Sequence, residues 1–337
     1  MRKKAVMQDV AQLAGVSTQT VSRVVNNHSS VRPATRERVY AAMRELDYRP
    51  NAAAQMLASG SSRSIGVLSV GTMSHGLITL FAELQAHAKH RGWHVLTSSS
   101  ANADFAEAQS ALDYLRSRQV LATVILFQHR SLLPLFEHWT GAPGVMISSV
   151  DHGIEGMSTI GIDQVSGLHS ALDHLWDQGI TDTAMITGDR EYIDARERMV
   201  IYQRYSRLKK HSFSLFGGRG WGACDGYAAA QEILNVGLPE AVIGGNDKIA
   251  VGCARAFAEH GFTAGKDYKL IGIDDDEVSS YLTPPLSSIR QDFAELAGVV
   301  IDELAGLMEG KPHRKLLLPS HFIPRASSLP EDAPELG

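Results

Sequence analysis

The chain has 337 residues, 44% of them apolar and 20% charged, with a formal charge of −5 and two cysteines. A composition this apolar and this sparsely charged can bury a sizeable core, which excludes a disordered or collagen-like chain; the length suits one small and one large domain, or three small ones. The longest apolar run, residues 120–127, is far below the roughly 20 residues of a membrane span, and Cys224 and Cys253 show neither metal spacing nor a disulfide framework.

At the N-terminus, Arg2, Lys3 and Lys4 resemble the start of a secretion signal, but Gln8 and Asp9 interrupt the apolar stretch that should follow. A cytoplasmic protein with no membrane partner is therefore expected. Charge is unevenly placed, with +6 over residues 1–63 and −11 over the remainder. That asymmetry fits a polyanion-binding head on an acidic body, although an ordinary solvated surface gives the same counts.

Residues 7–13 are amphipathic, Ala14-Gly15-Val16 supplies a turn, and Ser17 is placed to cap a helix over residues 18–26. On that helix Val21, Val24 and Val25 fall at i, i+3 and i+4 and face inward, which leaves Thr18, Gln19, Ser22, Arg23 and Asn26 outward. These side chains are suited to major-groove edges: Gln pairs with adenine, Arg with guanine, and a Thr methyl meets a thymine methyl. A third helix starts at Pro33 and carries Val39, Ala42, Met43 and Leu46 on one stripe, closing a three-helix core. Any small helical bundle shows such stripes, so periodicity alone leaves both readings open.

The next segment has Asn51 as a possible cap, then Ala52-Ala53-Ala54-Gln55-Met56-Leu57-Ala58, ended by Ser59-Gly60. At about two turns it falls below the ~12 residues at which an isolated helix is even marginal, so it forms only when paired or docked. Leu57 is either a wedge for a minor-groove base step or a packing residue on a plain spacer.

From Ser64 onward strand-like and helical runs alternate. Strands are expected at 65–70, 93–96, 120–127 and 145–150, then at 183–187, 241–244 and 270–273. Helices are expected at 77–91, 105–118, 165–178, 196–209, 225–235 and 249–260. Residues 289–293 then cross back, sending a helix over 294–308 to the first lobe before short strands at 316–318 and 321–323. Ligands of open α/β sheets bind beyond the carboxyl ends of the strands. Asn246 and Asp274 follow two such strands, and Arg198 lies on the helix entered after a third. Trp221 and Phe293 offer flat walls suited to a sugar ring. Each has a plainer reading: Asn246 and Asp274 as caps or turns, Arg198 as a solvated charge, Trp221 as a cover over the core.

The run DVAQLAGVSTQTVSRVVN resembles the helix-turn-helix of the LacI/GalR family of bacterial repressors, and GNDKIAVG, ARER and GIDDDEVSSYLTPPLSSIRQDF extend the resemblance over nearly the whole chain. The resemblance implies an all-α helix-turn-helix head and an α/β two-lobed, periplasmic-binding-protein-like body with two parallel Rossmann-like sheets. It implies a DNA-binding domain at 1–49, a hinge helix and linker at 50–62, and a sugar-binding and dimerisation domain at 63–328. Within that domain the first lobe takes about 63–161 and 291–320, the second about 162–290 and 321–328, and 329–337 is a tail. Thr18, Gln19 and Arg23 become base-reading positions and Leu57 the hinge lever. Arg198, Asn246 and Asp274 become sugar ligands, and Trp221, Gln291 and Phe293 line the cleft with His75 on the first-lobe wall. Ser149 stands where the resemblance implies an acidic ligand contact, and Ile201 replaces a glycine usual three residues after the arginine.

Pro330 and Pro334 with no heptads exclude a coiled-coil tail, so a homodimer is expected. No GxxxxGK[ST] loop, GxSxG elbow or HExxH helix is present, and no cofactor or metal is implied. The expected function is repression of a sugar-utilisation operon through a pseudo-palindromic double-stranded operator, relieved by a small sugar such as a galactoside. The alternative is a sugar-processing enzyme carrying a DNA-binding head.

Overall fold

The computed structural model describes residues 5–25, 30–49, 62–71, 75–101, 103–127 and 129–330, with the side chain of His75 outside the description. The chain divides into two compact units, Met1–Ser62 and Arg63–Gly337. In the first, α1 (Met7–Ala14), α2 (Thr18–Val25) and α3 (Pro33–Glu45) surround a core of Val10, Ala11, Ala14, Val21, Val24, Val31, Val39 and Ala42. Helix α1 stops at Gly15, whose φ of 63° lets its N–H turn back to the carbonyls of Ala11 and Gln12. The Ser17 hydroxyl accepts the Thr20 N–H at 3.1 Å, as the capping reading expects. Asn26, and the 50–61 segment with Asn51 and Leu57, lie outside the described residues, as does the tail from residue 331.

The second unit holds two six-stranded sheets. The first contains β1 (Ser64–Val70), β2 (His94–Ser100), β3 (Thr123–Leu126), β4 (Gly144–Ile147), β5 (Met157–Asp163) and β11 (Lys315–Pro319), in the order β11-β5-β4-β3-β1-β2 and wholly parallel. The second contains β6 (Asp182–Thr187), β7 (Ser212–Gly217), β8 (Ala241–Gly244), β9 (Lys269–Asp274), β10 (Ser287–Arg290) and β12 (His321–Ile323), in the order β12-β10-β9-β8-β6-β7. It is parallel except for the edge strand β12, which runs antiparallel to β10.

Helices cover both faces of each sheet, so strand residues alternate between two cores. In β3, Val124 and Leu126 join one apolar cluster and Ile125 the other. The first sheet carries α4 (His75–His90), α5 (Phe105–Ser117) and α10 (Phe293–Met308). The second carries α6 (Gln164–Asp177), α7 (Ile193–Lys209), α8 (Ala223–Val236) and α9 (Asp247–Ala258). Leu296, Ala297, Val300, Ile301 and Leu304 of α10 pack in the core of the first lobe with Leu80 and Leu84 of α4. The return of the chain after β10 is therefore as the sequence suggests.

Strands β5 and β7 are absent from the sequence reading, as is β10, whose end is read only as part of the crossing at 289–293. In β5 the polar pair Ser158 and Thr159 breaks the apolar run, yet both are buried: the Ser158 hydroxyl donates to Glu303 at 2.6 Å. Strand β7 lies at a sheet edge, where SFSLFG needs only one apolar face. The expected strand at 120–127 starts only at Thr123, and the one at 145–150 ends at Ile147.

Helices α8 and α9 approach so closely that a Cβ on Gly252 would overlap the Ala223 carbonyl, and one on Gly226 the Ile249 carbonyl. Backbone cannot swing aside as a side chain can. Gly252→Ala is expected to destabilise the body by about 1–3 kcal/mol, read as a lower urea midpoint; an unchanged midpoint contradicts the packing described.

Candidate ligand cleft and nucleic-acid interface

The carboxyl ends of the strands in the two lobes face one cleft. One part is lined by Gly76, Leu77, Tyr192, Asp194, Arg198, Trp221, Asn246, Asp274, Gln291 and Phe293. An adjoining part shares Leu77, Asp194, Gln291 and Phe293 and adds Ser148, Ser149 and Gln164. The structure thus brings together Arg198, Trp221, Asn246, Asp274, Gln291 and Phe293, with Ser149 next to them. His75 opens α4 beside Gly76, and its side chain is outside the description.

Arg198 is 5% exposed, so the solvated-charge reading fails. Its Nη1 donates to the Gly245 carbonyl at 2.6 Å and its Nε to Gln164 Oε1 at 2.9 Å. Gln164 Nε2 donates to Gln291 Oε1 at 3.0 Å, and Gln291 Nε2 donates to Asp274 Oδ1 at 2.5 Å. A continuous chain of hydrogen bonds therefore runs from α7 through the first residue of α6 and the residue after β10 to the end of β9. Gln164 and Gln291 sit where the chain passes between lobes.

Asn246 is both a cap and a cleft residue. Its Oδ1 accepts the Ile249 N–H at 2.8 Å, and its Nδ2 donates to the Trp221 carbonyl at 3.1 Å. The Trp221 ring lies 5.8 Å from the Arg198 guanidinium and meets Tyr192 edge-on at 5.7 Å. Glycine at 188 leaves room for that ring, since a Cβ there would overlap it. Phe293 closes against Gly76, where a Cβ would come within 2.5 Å of its ring.

Asp274 and Asp275 adopt φ of 108° and 56°, a region that side-chain-bearing residues enter at a cost. The Asp275 carboxylate is held by Arg290 Nε at 2.7 Å and Arg325 Nη1 at 2.6 Å, and its N–H donates to Ser288 Oγ at 3.0 Å. Behind the loop, the Asp247 carboxylate accepts from the Asp276 N–H at 2.7 Å, from Ser279 Oγ at 2.8 Å and from Ser288 Oγ at 2.6 Å. These contacts over-determine the loop and fix where Asp274 sits.

Burial pushes the Asp274 carboxyl up to about 7, aided by Asp276 and Asp194 and opposed by the Arg198 guanidinium. Burial, with the Asp274 charge second, likewise raises Asp247 to about 7 against its three hydrogen bonds. Tyr192, Asp194 and Gln164 are cleft residues that the sequence reading missed. Asp194 had a signal, being one helical turn before Arg198 on the same face. Gln164 had none, because it follows the unread strand β5.

On the head, Thr18, Gln19 and Arg23 are exposed on α2 and Ser22 is half-buried on the same helix. Val21 and Val24 are wholly buried on the opposite face, and Val25 packs partly against the core. Three polar side chains are thus presented outward by a helix whose other face is locked. Among the described residues no helix is long and apolar enough to cross a membrane, and no group of three or more His, Cys, Asp or Glu is arranged to hold a metal.

A helix-turn-helix unit on the same chain as a two-lobed α/β body with a polar cleft defines a ligand-responsive DNA-binding regulator. Residues 6–51 match the model of bacterial regulatory proteins of the lacI family, and residues 172–328 that of the periplasmic binding protein-like domain. The chain is 32% identical to the lactose operon repressor of Escherichia coli (strain K12), over 97% of this chain and 91% of that one. It is 30% identical to the ribose operon repressor of the same organism, over 89% of this chain and 92% of that one. A crystal structure of the lac repressor dimer bound to operator and the anti-inducer ONPF superposes with a TM-score of 0.86 at 31% identity, covering 97% of this chain and 100% of that one. The chain belongs to the lacI family: it is a DNA-binding transcriptional repressor regulated by sugar effectors, and not an enzyme.

The raised carboxyls set a pH dependence. Groups at about 7 in the fold and about 4 when unfolded hold protons in the native state that the unfolded chain has lost. Stability from these sites therefore declines as pH rises from about 4 to about 7 and levels off above that. Asp274→Asn keeps an acceptor for Gln291 and is expected to flatten part of that decline in urea midpoints taken across the range; an unaltered slope contradicts the assignment.

Proposed function

We propose that this repressor acts as a homodimer on a pseudo-palindromic operator of a sugar-utilisation operon and leaves it when a small sugar, a galactoside or a related sugar, binds between the lobes. Support for the site comes from the convergence of Arg198, Asn246, Asp274 and Gln291 on one cleft walled by Trp221 and Phe293. Fixed donors and acceptors beside flat apolar faces suit a sugar ring, whose hydroxyls are costly to bury unpaired. His75 and Ser149 complete the proposed site on the first-lobe side. The lactose operon relative favours a galactoside, and the ribose operon relative at nearly equal identity makes the sugar a point for experiment.

In this reading Thr18, Gln19, Ser22, Arg23 and Asn26 face the major groove of each half-site. Residues 50–62 form the hinge, with Asn51 as its cap and Leu57 as its minor-groove wedge. The hinge is ordered when two copies pair on the operator and lost when sugar shifts the first lobes. Dimer pairing falls to the bodies, and the operator-bound lac repressor dimer among the structural relatives supports that assembly.

The test is Arg198→Ala, assayed by gel shift on an operator selected from random-sequence DNA. The variant is expected to hold the operator like the native chain and to stay bound at sugar concentrations that release the native chain. Release at the native sugar concentration contradicts the cleft assignment.

A further inference from the structure

Two acidic side chains and a single cation line the cleft among the described residues, and the second acid is one not singled out from the sequence. Asp194 lies in the first turn of α7 in the second lobe and lines both parts of the cleft. Its Oδ1 accepts the Ser149 hydroxyl, from the loop after β4 in the first lobe, at 2.7 Å. Ser149 is the position where the resemblance implies an acid. Here the acid reaches the same place from the opposite lobe, and the hydroxyl donates to it.

Neighbouring contacts hold this arrangement. Tyr192, two residues earlier, forms a backbone bridge with His129 of the first lobe and packs edge-on to its ring at 4.2 Å. Its hydroxyl sits where a Cβ on Gly71 would be only 2.8 Å away. Asp194 is thus anchored at the seam between the lobes, and among the described residues its Oδ2 makes no hydrogen bond.

We propose that Asp194 determines effector specificity by accepting hydrogen bonds from the hydroxyls of an uncharged sugar, and that the cleft rejects phosphorylated and carboxylated sugars. The inference rests on the cleft being the effector site. Among the described lining residues Arg198 is the one cation, and its Nε and Nη1 are already committed to Gln164 and Gly245. Among the described residues Nη2 is the one guanidinium nitrogen without such a partner, which weakens a two-nitrogen grip on an anion. An anion also meets the Asp194 carboxylate, which lines both parts of the cleft, and like charges at close range repel. A neutral polyol meets the opposite situation, because the Asp194 Oδ2 left over beside the Ser149 bond can accept a hydroxyl in a charge-assisted bond.

The full chain is screened by thermal shift against glucose, galactose, ribose, lactose and cellobiose, and against glucose 6-phosphate, galactose 6-phosphate, ribose 5-phosphate and glucuronate. At least one neutral sugar is expected to raise Tm, and its charged counterparts to bind at least tenfold more weakly. Asp194→Asn is expected to weaken the neutral sugar by about 10- to 100-fold while operator binding without sugar stays intact. Monodeoxy derivatives of that sugar separate contact from architecture. One hydroxyl whose removal costs the native chain tenfold or more is expected to cost Asp194→Asn almost nothing. A charged sugar that binds as well as its neutral counterpart overturns the proposal and leaves the effector site standing, as do deoxy penalties equal in both proteins. A panel in which nothing binds contradicts the cleft as a sugar site and removes this inference with it.

Discussion

The hydrogen-bonded chain from Arg198 through Gln164 and Gln291 to Asp274 is the interaction on which the rest of the body depends. Arg198, Gln164 and Gln291 are each under a tenth exposed, so breaking any link strands a polar group with no water to replace its partner. Deletion of that kind costs about 1–3 kcal/mol, more for the charged member. Because Gln164 and Gln291 occupy two passages between the lobes, the same links that orient cleft-facing groups also tie those groups to the inter-lobe crossings. Under the proposed function, a ligand that engages Arg198 or Asp274 touches groups bonded to two of the segments that join the lobes.

Backbone constraints make that chain possible. The positive φ of Asp274 and Asp275 is sustained by Arg290 and Arg325 on one side and by Asp247 on the other. Glycines at 76 and 188 allow Phe293 and Trp221 to lie close enough to form walls. Buried acids, a committed arginine and two aromatic faces are the basis on which ligands rich in neutral hydroxyls are proposed.

Much of this was legible in residue order. Ser17, Gly15 and the valines at 21, 24 and 25 specify the turn and the inward face of α2 through capping and periodicity alone. The apolar runs ending before Asn246 and Asp274 announced strand ends, and with them a cleft. What was hidden is hidden for physical reasons. Strand β5 carries the buried Ser158 and Thr159, and the partner of the Ser158 hydroxyl is Glu303, about 145 positions away, so no local pattern reveals the strand. Missing β5 also hid Gln164, the link that explains how Arg198 is buried without exposure to water. Asn246 showed the limit of a choice between cap and ligand, since one side chain does both: its oxygen caps α9 while its nitrogen fixes the backbone of Trp221.

The central claim is that occupancy of the cleft and occupancy of the operator are linked through the polar chain at the hinge. Linkage requires reciprocity: saturating sugar must weaken operator binding by the same factor by which operator weakens sugar binding, typically about 5- to 150-fold. Calorimetric titrations closing that cycle, in the native chain and in Gln291→Ala, test it most directly. The account predicts equal factors in the native chain and a factor near one in the variant, with its operator affinity retained. A coupling unchanged by loss of Gln291, or operator affinity indifferent to sugar in the native chain, contradicts it.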